Sequence, residues 1–572
     1  MVGAGAFWAG TRVYGQAMDA RGHLLAAMPH VEEFRDAFLA GETEAAESAA
    51  LAFEAEAEDA AHSTSGRLWS ALESLPIPAM ENLRAVRVVA EAAQELGSEV
   101  LVPSSAVGLA TLTPVDGRVD LAQLAELGAV VSGAEEAVSG LEEQMSGIDR
   151  SALLPQVSEG VTQLADTVTG MAPMLSTAAD TIEVLPGLLG ADGPRNYLLM
   201  FVGNAELRAG GGGPGSFVQV RAEAGAISIV RQAAATEFEI ALPESVVPLE
   251  PETEALYSDV LGRWIANLTG TADFPTSAAL ARGWWSQKFD DQIDGVMSID
   301  PVALSYLLPA TGPIPLPTGE TLTADNAVSL LLNEVYFAYP TGPESNAFFD
   351  GAAAAIFTAV LGGGAKPVPF VEGLVRGADE GRIKFWSAHE QELSGIGTSE
   401  FSGILPGSNQ DETAVGVYFN DTTGAKMDYY TDATIDLGTD QCTAAGSPTW
   451  TATVAFSNTI TRDQAAGLPG YITGPYYTPG DIATDVIVYT PVGAQIQSWT
   501  VDGVEVSGVH TTHLGRDAVR LSIVSEPAST RTVVVTMRGE EGVSGSAYGP
   551  LQVRHTPMVR ETPVTLDAPG CR

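Results

Sequence analysis

The side chains best equipped for chemistry gather in one short stretch of this chain, Arg195 to Arg231. An apolar run, Tyr197 to Val202, ends in Asn204, Glu206 and Arg208. Four glycines follow at Gly210, Gly211, Gly212 and Gly213, and a second apolar run begins at Ser216. A third run follows Gly225 and carries Arg231. Short apolar runs bounded by Gly and Pro read as strands, so the expected unit is strand, glycine-rich loop, strand. Within it Arg208 can pair with Glu206, the glycines can serve a tight turn or a close backbone approach, and Asn204 can close a turn. Further on, Asp273 precedes Phe274-Pro275, where a carboxylate can accept backbone amides as a helix starts, and Asp294 precedes Gly295 in an acidic turn. No G-x-S-x-G, H-E-x-x-H or P-loop competes, since Gly213-Pro214-Gly215-Ser216 has no following Lys.

The chain that positions this stretch has 572 residues, enough for about three or four domains. A hydrophobic fraction of 45% is that of a globular protein. The formal net charge is -44 and the only lysines are Lys288, Lys366, Lys384 and Lys426, so a phosphate backbone would be repelled and nucleic acid is excluded as a partner. Two cysteines, Cys442 and Cys571, suit an oxidising compartment, where a disulfide would pin the C-terminal tail to the domain before it; two buried free thiols are the other reading. No Cys/His spacing suggests zinc.

Residues 1–15 are apolar for about ten positions before Arg12, too short to span a bilayer. They read either as the remnant of a membrane anchor whose beginning lies outside this chain, or as an ordinary helix start. Residues 16–190 carry Leu and Val at three- and four-residue steps, as in Leu153, Val157, Val161, Leu164 and Val168, which predicts a helical stalk or bundle. Pro76, Pro78, Pro103, Pro114 and Pro155 are expected to cut it into about five helices. The acidic run Glu54, Glu56, Glu58 and Asp59 reads as a solvated helix face. Residues 191–402 alternate strands with helices and predict a layered α/β domain. Residues 403–572 are rich in Thr, Val and Tyr in alternating patterns and predict an antiparallel β-sandwich. The fold class expected is therefore α+β multidomain. Tyrosines on the surface of the last domain could stack against sugar rings, although a strand tyrosine is more often half-buried packing.

These phrases carry a family resemblance. N-A-E-L-R with the glycine cluster and G-S-F, then D-F-P-T-S-A, D-G-V-x-x-I-D-P-V-A-L, T-G-P and N-E-V-Y look like the bacterial family called domain of unknown function 4012. Gly416 to Tyr430 and Gly467 to Gly474 match it too. The resemblance implies an extracytoplasmic body at the cell envelope, anchored to the plasma membrane by an N-terminal helix. A more distant likeness, in the order strand, Arg-containing loop, strand, G-x-I-S-I-x-R and T-G-P turn, is similar to the LytR-CpsA-Psr phosphotransferases, which join lipid-linked glycopolymers to the cell wall. That likeness implies that Arg208 and Arg231 form a cationic clamp on a polyprenyl pyrophosphate. It further implies that the amides of Gly210 to Gly213 make an anion nest beside Asn204, and that Glu206, with Asp273 and Asp294, holds Mg2+. One departure weighs against it: no Lys or Arg occurs between Lys288 and Lys366, where those enzymes place further arginines. Each lost charged hydrogen bond would cost about 1–3 kcal/mol. The function expected is thus binding of wall polymer or a protein partner at the envelope, with glycopolymer phosphotransfer as the alternative.

Overall fold

The structure, a computed structural model, describes residues 2–75, 77, 80–106, 114–148, 150–394, 396–397 and 399–571. The chain divides into two compact units, residues 1–193 and 194–572, with the short segments 224–226 and 366–368 grouped in the first.

The first unit is helical: α1 (Val2–Ala40), α2 (Thr43–Thr64), α3 (Arg67–Glu73), α4 (Glu81–Glu95), α5 (Val102–Ala106), α6 (Leu121–Ser146) and α7 (Pro155–Leu188). The buried face of α2 is mostly alanine, with Ala46, Ala49, Ala50, Phe53 and Ala57 inward, so neighbouring helices pack close. A Cβ at Gly97 would meet the Glu54 Cα at 3.1 Å. Phe34, Phe53, Leu96, Leu141 and Val168 share one core drawn from α1, α2, α6, α7 and the turn after α4. Pro103 does not break the chain as expected: α4 runs through a π-helical segment, Leu96–Leu101, straight into α5, and Pro103 falls at the start of α5. Pro29, inside α1, does not end its helix either. Pro155 opens α7, where a missing N–H costs nothing, and Pro76 and Pro78 lie outside the described residues. Residues 2–15 are the first turns of α1, and among the described residues no helix is long and apolar enough to cross a membrane. In the acidic run, Glu56 pairs with His23 at 2.7 Å on a partly exposed face.

The second unit opens with a mixed five-stranded sheet in the order β3-β2-β1-β4-β7. Its strands are β1 (Arg195–Gly203), β2 (Gly213–Glu223), β3 (Ala226–Ala234), β4 (Gly295–Ile299) and β7 (Ile383–Ser387), with a two-residue ladder, β5 (Ile314–Pro315) and β6 (Thr321–Leu322), standing apart. β1 runs antiparallel to β2 and parallel to β4, and β4 antiparallel to β7. Alternation along β1 sends Leu198, Met200 and Val202 to a core with Phe217, Trp284 and Trp285. Leu199 and Phe201 turn the other way, toward Val218, Val220 and Ala353. Burying each such aromatic or aliphatic side chain contributes about 1.5–3 kcal/mol. Helices Phe274–Ser286 and Pro301–Thr311 start at Asp273 and Asp300, whose carboxylates accept from the Thr276 and Ala303 amides.

Two further five-stranded sheets follow. One has the order β12-β15-β10-β9-β17 and the other β13-β14-β11-β8-β16. The strands are β8 (Thr413–Asp421), β9 (Thr431–Thr439), β10 (Thr449–Asn458), β11 (Ile482–Tyr489), β12 (Gln495–Val501), β13 (Val509–His513), β14 (Arg516–Ser525), β15 (Ser529–Arg538), β16 (Leu551–His555) and β17 (Val564–Asp567). The pairing is not wholly antiparallel: the two last strands join β8 and β9 in parallel. β9 and β10 bury every second residue, whereas β11 is buried along its whole length. Val486 and Val488 face the core shared by the two sheets, and Ile487 and Tyr489 face the core of the first sheet. The expected boundary at 402/403 therefore falls inside one compact unit. Cys442 and Cys571 form a disulfide.

Candidate functional site

The stretch from Asn204 to Gly213 joins the ends of β1 and β2, and the glycines are there for space. A Cβ on Gly212 would lie 2.4 Å from the Gly203 carbonyl carbon and oxygen and 2.8 Å from the Asn204 nitrogen, so only glycine lets the loop fold back on β1. Gly211 has φ +122, a conformation that L side chains rarely adopt. The anion nest expected here does not form. The amides of Gly210, Gly211 and Gly213 donate to the carbonyls of Thr269, Arg208 and Glu206 at 2.8, 2.7 and 3.0 Å, which leaves none of the three for an anion.

Arg208 is buried, 5% exposed, and spends its guanidinium on the fold. Nε donates to the Ala266 carbonyl and Asn267 Oδ1, both at 3.1 Å, Nη1 to the Leu207 carbonyl at 2.8 Å, and Nη2 to Glu206 Oε1 at 3.2 Å. Glu206 also accepts from Lys426 Nζ at 3.2 Å. Burial pushes the Glu206 carboxyl up, but Lys426 and Arg208 outweigh it and hold it below its ordinary range. Two more carboxylates close around the arginine. Asp421 accepts the amides of Thr423 and Gly424 at 2.8 and 3.1 Å, closing a turn, and Asp428 accepts the Leu207 amide at 2.8 Å. Burial raises both carboxyls, and the neighbouring Asp421 lifts Asp428 further.

Arg231 does not join Arg208. It pairs with Asp291 at 2.7 Å and lies over the Phe289 ring at 4.7 Å, a surface contact of β3. Nor do the proposed metal ligands converge. Asp273 caps its helix and takes the Thr276 hydroxyl at 2.6 Å, and Asp294 accepts the Asn196 amide at 2.8 Å. Among the described residues no three His, Cys, Asp or Glu side chains are disposed to hold an ion, so Glu206, Asp273 and Asp294 do not fit a Mg2+ site. Asn204 is fully buried, donating to Asp300 Oδ2 at 2.8 Å and to the Pro557 carbonyl at 3.0 Å.

Sequence reasoning missed two cations at the start of β7, the far edge of the sheet, one reaching the loop itself and one reaching Asp300, the partner of Asn204. Arg382 donates to Asp300 Oδ2 and the Met558 carbonyl, both at 2.9 Å, and Lys384 donates to the carbonyls of Gly210 and Gly381. Burial pushes the Lys384 ammonium down to about 8. Both are committed inside the fold, like Arg208.

Beside these polar groups lies a cavity of about 130 Å³. Its walls are chiefly apolar: Phe201, Leu304, Leu331, Leu332, Phe349 and Ile356. Glu206, Tyr336 and Lys426 also line it. Leu331 and Leu332 enter it from a π-helical turn, Leu330–Glu334, a distortion that recurs at functional sites. Lys426 Nζ lies 5.2 Å from the Tyr336 ring and 5.4 Å from the Tyr471 ring. Paired to Glu206, its ammonium is held above its ordinary range even though burial opposes this. One signal pointed to it in advance: Lys426 is one of only four lysines in the chain. A neutral ion pair on an apolar wall can orient an uncharged ligand, whereas a pyrophosphate finds no free cation in this cluster.

Residues 192–336 match the family described as Protein of unknown function (DUF4012), which bears out that likeness from β1 to β6, with the glycine loop and part of the cavity wall; the phrases Gly416 to Tyr430 and Gly467 to Gly474 lie outside the match. No curated protein and no solved structure matches the chain, and the LytR-CpsA-Psr likeness stands on its sequence phrases alone.

Proposed function

We propose, for a chain whose residues 192–336 match the DUF4012 family, that the protein is a binding module of the cell envelope, working outside the cytoplasm on wall polymer or a partner rather than transforming a substrate. One observation carries this reading: the cations of the glycine-loop cluster are spent on internal partners, while an apolar cavity is held beside them. A site that binds without transferring needs shape and a few placed polar groups, not spare charge. The disulfide supports an oxidising compartment, and the two C-terminal sheets, read as a sandwich, would serve as the support. The apolar cavity also favours a second reading, LytR-CpsA-Psr-like transfer of a lipid-linked glycopolymer to the wall, in which an isoprenoid end would enter it. About 130 Å³ is close to the size of an engineered cavity that takes benzene, so it suits one branch of such a chain and not its length.

The test is a thermal-shift titration of the full chain with 1-hexanol and, separately, polyprenyl pyrophosphate, each with and without Mg2+. Binding requires a saturable, Mg2+-independent shift with hexanol that Ala352→Phe, which fills the cavity, removes. No saturable shift with any apolar probe would overturn the cavity as a binding site. Mg2+-dependent release of product from a lipid-linked glycan would replace the first reading by the second.

A further inference from the structure

One family-like phrase, Gly467 to Gly474, has no part in the cluster around Arg208, yet it is folded against the polar end of the cavity. The Lys426 amide donates to the Ile472 carbonyl at 2.8 Å. A Cβ at Gly474 would meet the Gly424 carbonyl oxygen at 2.7 Å, and one at Gly424 would meet the Tyr476 ring at 3.1 Å. This packing fixes three tyrosines of one loop in the open. Tyr471, Tyr476 and Tyr477 are 37%, 78% and 36% exposed, and Tyr471 packs against the buried Tyr336 with ring centroids 5.8 Å apart.

We propose that this loop and the Glu206–Lys426 pair form a subsite for a neutral sugar ring carrying a short apolar aglycone, the aglycone entering the cavity. The proposal rests on the cavity reading above and names its ligand class. Four features select that class. Exposed tyrosine rings offer apolar faces with a polar tip, which suits the C–H face of a pyranose. The carboxylate of Glu206 and the ammonium of Lys426, 3.2 Å apart and both partly exposed, put an acceptor beside a donor, the complement of a hydroxyl that is both. Their charges cancel, and the chain as a whole carries -44, so a neutral head is favoured over an anionic one. Finally, about 130 Å³ of mostly apolar space admits a group of five or six carbons, by comparison with cavities that take benzene.

The experiment is calorimetric titration of the full chain with hexyl β-glucoside, 1-hexanol, glucose and hexyl phosphate, all below micelle formation. Hexyl glucoside is expected to bind at least about tenfold more tightly than hexanol, glucose or hexyl phosphate. Tyr476→Ala, at the most exposed of the three rings, should remove that advantage while leaving hexanol binding and the unfolding transition unchanged, and Tyr476→Trp should retain it. Flotation with vesicles holding a neutral glycosyl diacylglycerol separates the sources: co-flotation assigns a membrane glycolipid, and soluble binding without co-flotation assigns a free glycoside. Equal affinity for hexanol and hexyl glucoside, or tighter binding of hexyl phosphate, would overturn the sugar subsite and leave the cavity reading standing. Absence of binding by every probe would overturn both.

Discussion

Changing the pH should reveal a buried histidine that ties the two parts of the second unit together. His513, at the end of β13, is 1% exposed. Its Nε2 meets the Thr253 hydroxyl at 3.0 Å, its Nδ1 meets the Tyr489 hydroxyl at 2.7 Å, and Tyr489 in turn meets Tyr257 at 2.7 Å. Thr253 and Tyr257 sit on the helix Pro251–Tyr257, so this hydrogen-bonded row crosses from the first sheet's helices to the C-terminal sheets. Burial pushes the imidazole down to about 4 from its ordinary 6.5. The folded protein therefore keeps His513 neutral where the unfolded chain would protonate it. Its contribution is fully present above about pH 6.5 and is lost progressively as pH falls to about 4. Two and a half pKa units correspond to about 3 kcal/mol. Acid also protonates Asp421 and Asp428, whose raised carboxyls change stability in the opposite sense, so the difference between wild type and His513→Gln isolates the histidine. In urea melts from pH 7.5 to 4, Gln should be destabilising at the upper end, and the gap should shrink by about 3 kcal/mol on acidification. Parallel stability curves across that range would refute the assignment of a buried neutral imidazole.

Other perturbations test the loop and the tail. Arg208→Ala should destabilise the fold itself. With the guanidinium gone, Glu206 keeps Lys426 but Asp421 and Asp428 lose the cation beside them, and urea melts should show a loss of about 3–5 kcal/mol. Gly212→Ala should cost about 3 kcal/mol or prevent soluble expression, because its Cβ meets backbone atoms that cannot yield; Gly203→Ala, with nothing within 4 Å, is the matched control. Reduction of Cys442–Cys571, which closes a loop across 129 residues, should lower stability by at most about 5 kcal/mol, read as a fall in the urea midpoint with dithiothreitol.

Much of the local structure was legible because it depends on near neighbours in the chain. The apolar run before Asn204, the glycine loop and the helix cap at Asp273 follow from local residue types, and each is found where those types place it. Strand direction is not local. β16 and β17 have the same residue types as their antiparallel neighbours, and only the return of the chain sets them parallel. The helix through Pro103 was missed because a proline near a π-helical turn loses less than one in a regular helix, where a carbonyl waits for its N–H. At the site, Glu206 next but one to Arg208 hinted at an internal pair. Nothing near residue 210 pointed to Arg382 and Lys384, which the sheet order delivers from more than 170 residues away.

The location of the positive charge bears on the choice between an anionic and a neutral ligand. The chain has 28 basic residues against 72 acidic ones, and Arg208, Arg382, Lys384 and Arg516 are each at most 7% exposed. Arg516 gives its guanidinium to the carbonyls of Ala414, Thr490 and Pro406. Five carboxylates, Asp300, Glu392, Asp421, Asp428 and Asp485, are buried along with these four cations among the described residues, so the exterior keeps close to the whole net charge of -44. At physiological ionic strength such repulsion reaches about 8 Å, far enough to act on an anion at the cavity mouth. A doubly charged pyrophosphate would have to cross that field and then find a cation already bonded to a carbonyl or carboxylate. A neutral ligand meets neither obstacle, and its affinity should be nearly independent of salt from 0.05 to 0.5 M, an interval over which an anion held against this charge would bind progressively better. A strong rise in hexyl glucoside affinity with added salt would place its contacts among the surface carboxylates and outside the cavity.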